Sequence, residues 1–74
     1  MTDEELFFKI SGGLIRLRRN AGFKSAVNFA NVVGMNRTCY HRAESGKNMN
    51  LKTLNKILLA HNLTFKEFCE RELT

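Results

Sequence analysis

The sequence contains no proline and no tryptophan, and only two of its 74 residues are cysteine. Two cysteines form at most one disulfide, which excludes the disulfide-rich scaffolds of small secreted proteins. No apolar stretch approaches the roughly 18 residues that a membrane-spanning helix requires. The opening residues, MTDEELF, lack the basic and apolar segments of a secretory signal. These absences predict a soluble cytoplasmic protein with free thiols, and the length fits a single domain over residues 1–74.

Acidic residues are almost absent from the middle of the chain. Between residues 6 and 66 there are eleven lysines and arginines but a single acid, Glu44, and the other acids lie near the two ends. The net charge of +5 is therefore concentrated in a basic middle segment. Such a segment attracts polyanions, most commonly nucleic acid. A membrane surface is less favoured, because no predicted helix combines a basic face with an exposed aromatic one.

Apolar residues recur at intervals of three and four, which predicts an all-α fold of five short helices. A residue with a capping side chain precedes each predicted helix: Thr2, Ser25, Asn36, Asn50 and Thr64. The first four helices are predicted to end near Asn20, Val33, Glu44 and Asn62. The residues predicted to face the core are Leu6, Ile10, Leu14, Leu17, Phe29, Ala30, Val33, Cys39, Tyr40, Ala43, Leu51, Leu54, Ile57, Leu58, Phe65 and Phe68.

Two adjacent glycines, Gly12 and Gly13, lie inside the first predicted helix. Each costs roughly 1 kcal/mol relative to alanine at a helix interior position. The pair therefore indicates either close packing of another helix against the first or a weak first turn.

The segment GMNRTCYHRAESG, residues 34–46, contains side chains that occur in metal sites as well as in nucleic-acid interfaces. On a helix Cys39 and His41 point about 160° apart, so they cannot share an ion. A structural zinc site needs four ligands with paired spacing, and the other candidates, His61 and Cys69, are single residues on different helices. We therefore expect no metal or other cofactor, and interpret Cys39 as a small buried apolar residue.

Catalytic motifs are also missing from the sequence. There is no glycine-rich loop with a phosphate-binding lysine, no HExxH segment and no arrangement of nucleophile, base and orienting group. An enzyme is therefore not predicted.

The order and spacing of several short segments resemble the lambda repressor/Cro-like (Xre-type) family of helix-turn-helix DNA-binding domains. The segments are RRNAG (18–22), FANVVG (29–34), AESGK (43–47), LKTL (51–54) and TFKEF (64–68). The resemblance covers residues 10–70 and implies a five-helix domain whose helix-turn-helix spans about residues 25–45. The chain departs from the family at Tyr40, where isoleucine or valine is usual, and at His61, where leucine is usual. It also has Ala26 and Val27 where a polar pair commonly begins the second helix, which removes one common phosphate contact.

The resemblance makes the third helix the recognition helix. Its side chains Arg37, Thr38, His41 and Arg42 share a face without any acid, and they are the predicted base contacts. The predicted phosphate contacts are Ser25, Asn36, Lys47 and Asn48, at helix starts and after the recognition helix. The family also pairs the residues matching Arg18 and Glu44, which would join the first helix to the end of the recognition helix.

The predicted function is sequence-specific binding of double-stranded DNA by a small transcriptional repressor or other regulator. We expect a homodimer on an inverted-repeat operator, formed through the last helix and the segment before it, because one of the apolar residues there, Leu73, is hard to bury within one chain; the set is Leu63, Phe65, Phe68, Cys69 and Leu73. No small-molecule ligand or membrane is implied. The alternative is a protein-interaction module, antitoxin-like or coactivator-like, that uses the same fold to bind an acidic partner.

Overall fold

The computed structural model of the protein describes residues 1–47 and 49–73. Across these two ranges the backbone forms five α-helices and no β-strand, which confirms the predicted all-α class. The helices are α1 (Asp3–Asn20), α2 (Ala26–Val33), α3 (Arg37–Glu44), α4 (Leu51–Ala60) and α5 (Phe65–Glu72). Within the same ranges, no helix is both long enough and apolar enough to cross a membrane.

Every helix begins at the capping residue that the sequence indicates. The side-chain oxygens of Thr2, Ser25, Asn36, Asn50 and Thr64 each accept a hydrogen bond from the backbone N–H three residues later. The two threonines complete capping boxes, because the glutamate side chain three residues on accepts from the backbone N–H of the cap. These side chains satisfy N–H groups that the helices cannot pair internally.

The connection between α2 and α3 consists of residues 34–36 alone. Gly34 adopts a left-handed conformation with φ of 76°, which a residue with a Cβ rarely adopts. The N–H of Met35 donates to the carbonyl of Ala30 at 2.9 Å, which closes the end of α2. A glycine here therefore lets the chain leave one helix and start the next within three residues.

The core lies where the five helices meet and is centred on aromatic rings. The ring of Phe29 lies 4.8 Å from that of Tyr40, 5.2 Å from that of Phe23 and 4.9 Å from the stacked imidazole of His61. The buried apolar residues are Ile10, Leu14, Phe29, Ala30, Met35, Tyr40, Ala43, Leu54, Ile57, Leu58, Leu63 and Phe68. Because Phe29 is 1 % exposed, removal of its ring should cost about 3–5 kcal/mol.

The two glycines of α1 differ in what surrounds them. A Cβ on Gly13 would lie 2.9 Å from ring atoms of Phe68 and from Cγ of Glu72, so only glycine allows α5 to pack this closely against α1. A Cβ on Gly12 would meet nothing nearer than the guanidinium of Arg16, at 3.6 Å. Close helix packing, rather than a weak first turn, accounts for Gly13.

Three residues that we predicted to face the core are exposed instead. Leu51 is 70 % exposed and Phe65 is 44 % exposed, because each is the first residue of its helix and extends past the end of the core. Cys39 is also exposed, since the buried side of α3 is occupied by Tyr40 and Ala43. The interpretation of Cys39 as a buried apolar residue is therefore wrong.

Candidate nucleic-acid interface

The outer face of α3 is formed by the predicted base-contacting residues. Arg37, Thr38, His41 and Arg42 are all exposed. On the opposite side of the helix, Tyr40 and Ala43 have no exposed surface and fix the helix against the core. Since Tyr40 and Ala43 occupy the side of α3 that packs on the core, Thr38, His41 and Arg42 lie on the outward side, and Arg37, at the first position of the helix, lies at its edge.

The predicted phosphate-contacting residues surround this face. Ser25, Asn36 and Lys47 are exposed, and Asn48 lies outside the described residues. The side chains of Ser25 and Asn36 act as caps, each at 3.0 Å from a backbone nitrogen of its helix. The remaining first-turn N–H groups of α2 and α3 have no partner within the helix and carry the positive end of the helix dipole. The backbone of Lys47 is held near the end of α3, because its N–H donates to the carbonyl of Arg42 at 3.1 Å.

A buried ion pair joins α1 to the end of α3. Arg18 donates from Nε to Oε2 of Glu44 at 2.6 Å and from Nη2 to Oε1 at 3.3 Å. The two side chains are 7 % and 8 % exposed. A third N–H of Arg18 donates to the carbonyl of Phe23 at 2.9 Å, which extends the network to the segment that leads into α2. The hydrogen bond that Arg18 donates to Glu44 raises the pKa of Arg18, so the guanidinium remains charged despite its burial.

Tyr40 is the member of this network that the sequence interpretation missed. Its hydroxyl donates to Oε2 of Glu44, one helical turn further along α3. Burial, followed by the hydrogen bond to Glu44, raises the pKa of Tyr40, so the hydroxyl stays protonated as a donor. The four-residue spacing from Tyr40 to Glu44 was the available signal, because side chains at that spacing meet on a helix. We refer to Arg18, Tyr40 and Glu44 as the brace.

The brace changes the charge that the molecule presents to its surroundings. Glu44 is the single acid between residues 6 and 66, and its carboxylate is both paired and buried. The lysines and arginines of the same segment, apart from Arg18, are exposed. The surface contributed by residues 6–66 therefore carries cationic side chains and no exposed carboxylate of its own, although Arg16 forms an ion pair with Glu72 of α5.

Two grooves flank α3. One has a volume of about 310 Å³ and is lined by Ala26, Val27, Arg37, Thr38 and His41. The other has a volume of about 230 Å³ and is lined by Met35, Asn36, Cys39, Lys52, Thr53 and Lys56. The sequence interpretation did not assign a role to Val27, Lys52 or Lys56, because only the packing of α2 and α4 beside α3 brings them to the interface.

The described residues do not include a cluster of side chains suited to binding a metal ion. No group of three or more histidine, cysteine or acidic side chains within 1–47 and 49–73 could hold an ion. His61 is not near the outer face of α3 but stacks on Phe29 in the core, with an interplanar angle of 6°. Its Nε2 is buried without a hydrogen-bond partner among the described residues, and burial lowers the pKa of the imidazole.

Comparison with known proteins gave no match for this chain among protein-family models, curated proteins or solved structures. The interpretation of the interface therefore depends on the geometry and charge of its own residues.

Proposed function

We propose that this protein binds double-stranded DNA sequence-specifically, as a small transcriptional repressor or other regulator, and that its fold is lambda repressor-like. In this proposal α2 and α3 form the helix-turn-helix, and α3 is the recognition helix. The observation that supports it most strongly is the outer face of α3, where exposed donors lie together on a surface free of acids. A solvated helix face normally mixes charges of both signs, whereas this face is complementary to a polyanion.

The chemistry of the four exposed side chains suits the floor of the major groove. The groove is about 12 Å wide and admits an α-helix, whose diameter with side chains is about 10–12 Å. Arg37 and Arg42 can each donate two hydrogen bonds to O6 and N7 of a guanine. Thr38 can donate a hydrogen bond or contact a thymine methyl group, and His41 can bind a base or a phosphate. These residues would determine which sequence is preferred.

The surrounding groups would hold the DNA backbone. The first turns of α2 and α3, after Ser25 and Asn36, offer N–H groups and a positive dipole end to phosphates. Lys47 and Asn48 follow the recognition helix in sequence and would bind phosphates. Contacts of this kind fix the register of the protein on DNA but do not select a sequence.

The brace supports this assignment because it fixes how α3 is presented. Arg18 on α1 binds both Glu44 at the end of α3 and the carbonyl that precedes α2. The network therefore connects the first helix with the end of α3 and with the segment that leads into α2. A fixed angle between these helices would keep the base-contacting side chains in one register on the DNA.

Dimer formation is part of the proposal, because one recognition helix reads too few base pairs for high specificity. The last two helices carry the exposed apolar side chains of Leu59, 62 % exposed on α4, and Phe65, 44 % exposed at the start of α5. They replace Leu73 as the basis for this surface, since Leu73 packs partly against the core. We expect a two-fold dimer through α5 and the segment leading to it, formed more completely on DNA than in free solution.

The proposal is tested by comparing Arg42→Ala with Lys47→Ala on duplexes of specific and unrelated sequence. Arg42→Ala should cost about 1–3 kcal/mol on the specific site and relax the preference at particular base pairs. Lys47→Ala should weaken binding to all duplexes similarly and reduce the slope of log affinity against log salt by roughly one. Sequence preferences unchanged by Arg42→Ala and Arg37→Ala would contradict the base-reading role. Weak duplex binding without any sequence preference, lost as the salt concentration rises, would favour the alternative, an interaction module for an acidic protein.

A further inference from the structure

The groove between the start of α2 and the recognition helix combines two kinds of wall. Ala26 and Val27 form an apolar wall at the first and second positions of α2. Arg37 and His41 provide nitrogen donors on the other wall, and Thr38 contributes a hydroxyl and a methyl group. Val27 is 47 % exposed, so its side chain is not used by the core. An apolar side chain is therefore held at the solvent-facing edge of a cationic surface.

The chemistry of these walls restricts what can occupy the groove. A matching ligand has a small apolar group next to hydrogen-bond acceptors and carries negative charge nearby. In the major groove of DNA, thymine presents a C5-methyl group beside the O4 acceptor, and neighbouring guanines present O6 and N7. A phosphate placed against the Val27 side chain would lose water without gaining a hydrogen bond there, which is unfavourable.

We infer that Val27 and Ala26 bind the C5-methyl group of a pyrimidine in the major groove, while Arg37 and Thr38 bind the adjoining acceptor atoms. Val27 is then a specificity-determining residue outside the recognition helix. The inference rests on the proposed function and adds to it a position at which the protein selects a methylated pyrimidine. Burying one methyl group corresponds to about a fourfold change in affinity, which sets the size of the expected effect.

The experiment uses the full chain and the duplex site that it selects from a random pool. Thymines in each half-site are replaced singly by deoxyuridine, which removes the methyl group but keeps the base-pairing atoms. Cytosines are replaced singly by 5-methylcytosine in a second series. Dissociation constants are measured for the unmodified protein, for Val27→Ser and for the control Val32→Ser. Val32 is a suitable control because it is also in α2, is 64 % exposed and lines neither groove beside α3.

The inference predicts one pyrimidine in each half-site at which the methyl group improves binding about fourfold. The improvement should persist in Val32→Ser and disappear in Val27→Ser. The series in which it is seen, deoxyuridine for thymine or 5-methylcytosine for cytosine, shows which base carries the methyl group. Thermal unfolding of both variants verifies that the fold is retained.

Two results overturn the inference while leaving the proposed function intact. One is a selected site at which no methyl group affects the affinity of the unmodified protein. The other is a methyl effect that is as large in Val27→Ser as in the unmodified protein. In the second case residues other than Val27 bind the methyl group. Failure to select any site overturns the proposed function and, with it, this inference.

Discussion

Replacement of Glu44 by glutamine is the sharpest perturbation of the brace. The carboxylate accepts two hydrogen bonds from Arg18 and one from Tyr40. Glutamine keeps one acceptor oxygen, but its NH₂ group is a donor and faces the donor groups of Arg18 and Tyr40. It also removes the negative charge that neutralises Arg18. The guanidinium, 7 % exposed, is then a buried cation without a counter-ion, and it keeps the carbonyl of Phe23 at 2.9 Å and one amide oxygen as acceptors.

The expected loss of stability follows from this burial. Removing one partner of a buried ion pair typically costs about 3–5 kcal/mol. Because glutamine preserves one acceptor, we expect the loss of stability in Glu44→Gln to lie near the lower end of this range, at about 3 kcal/mol. The free energy of unfolding of a domain is about 5–15 kcal/mol, so the loss is a large fraction of it. At about 4–8 °C per kcal/mol, the melting temperature should fall by roughly 12–24 °C.

The assay is urea unfolding of Glu44→Gln, of Arg18→Met and of the double variant. The double variant should lose less stability than the sum of the single variants, because it leaves no buried unpaired charge. Binding to specific and unrelated duplexes is measured at a temperature at which the variants are folded. Glu44→Gln should bind the specific site more weakly, although its net charge is more positive by one. The exposed Glu4 supplies a charge-matched control, Glu4→Gln, which should not weaken specific binding.

If Glu44→Gln changes the free energy of unfolding by less than about 0.5 kcal/mol, which is the range of ordinary surface substitutions, the reasoning about the buried pair is refuted. Strict additivity of the two single variants would refute the claimed coupling. Tighter specific binding by Glu44→Gln with unchanged sequence preference would refute the role of the brace in presenting α3.

Two further predictions concern the core. Gly13→Ala should destabilise the fold, because its Cβ would lie 2.9 Å from the buried ring of Phe68. Gly12→Ala has no such close contact and should be neutral or stabilising by up to about 1 kcal/mol. Thermal unfolding of the two variants checks both expectations. Burial lowers the pKa of His61 below its ordinary value of about 6.5, so the unfolded chain binds the proton more tightly than the folded one. The free energy of unfolding should therefore carry no penalty from His61 above about pH 6.5, and it should decrease as the pH falls from there through the lower pKa of the folded state. His61→Leu should remove this decrease in urea unfolding at pH 5–8, while the exposed His41→Gln should retain it.

The helix boundaries could be predicted because their signals are local. Each capping side chain bonds a backbone group only three residues away, so a short segment such as Thr64–Glu67 determines where its helix begins. Gly34 likewise marks the end of α2, because the left-handed conformation is required at that one residue. The exposed polar face of α3 followed from the same local periodicity, although its role in binding DNA stays a prediction.

The errors arose where a neighbouring helix decides the environment. Leu51 lies on the same side of α4 as Leu58, but no other element covers it at the end of the helix. Periodicity gives the direction of a side chain and not the extent of the core. Cys39 was misassigned because it is next to Tyr40 in sequence, yet a step of about 100° per residue turns it toward the groove beside α4. Val27 was given no role in the sequence interpretation for a similar reason, because its proximity to Arg37 depends on how α2 crosses α3.

Selection of duplexes from a random pool by the purified protein tests sequence-specific binding most directly. We predict enrichment of an inverted repeat whose half-site centres lie about one helical turn apart, roughly 34–36 Å. Two protein chains should occupy each selected site, which sedimentation of the complex measures. A pool without sequence enrichment after repeated rounds would contradict the proposed function, and full specificity with one chain per site would contradict the dimer.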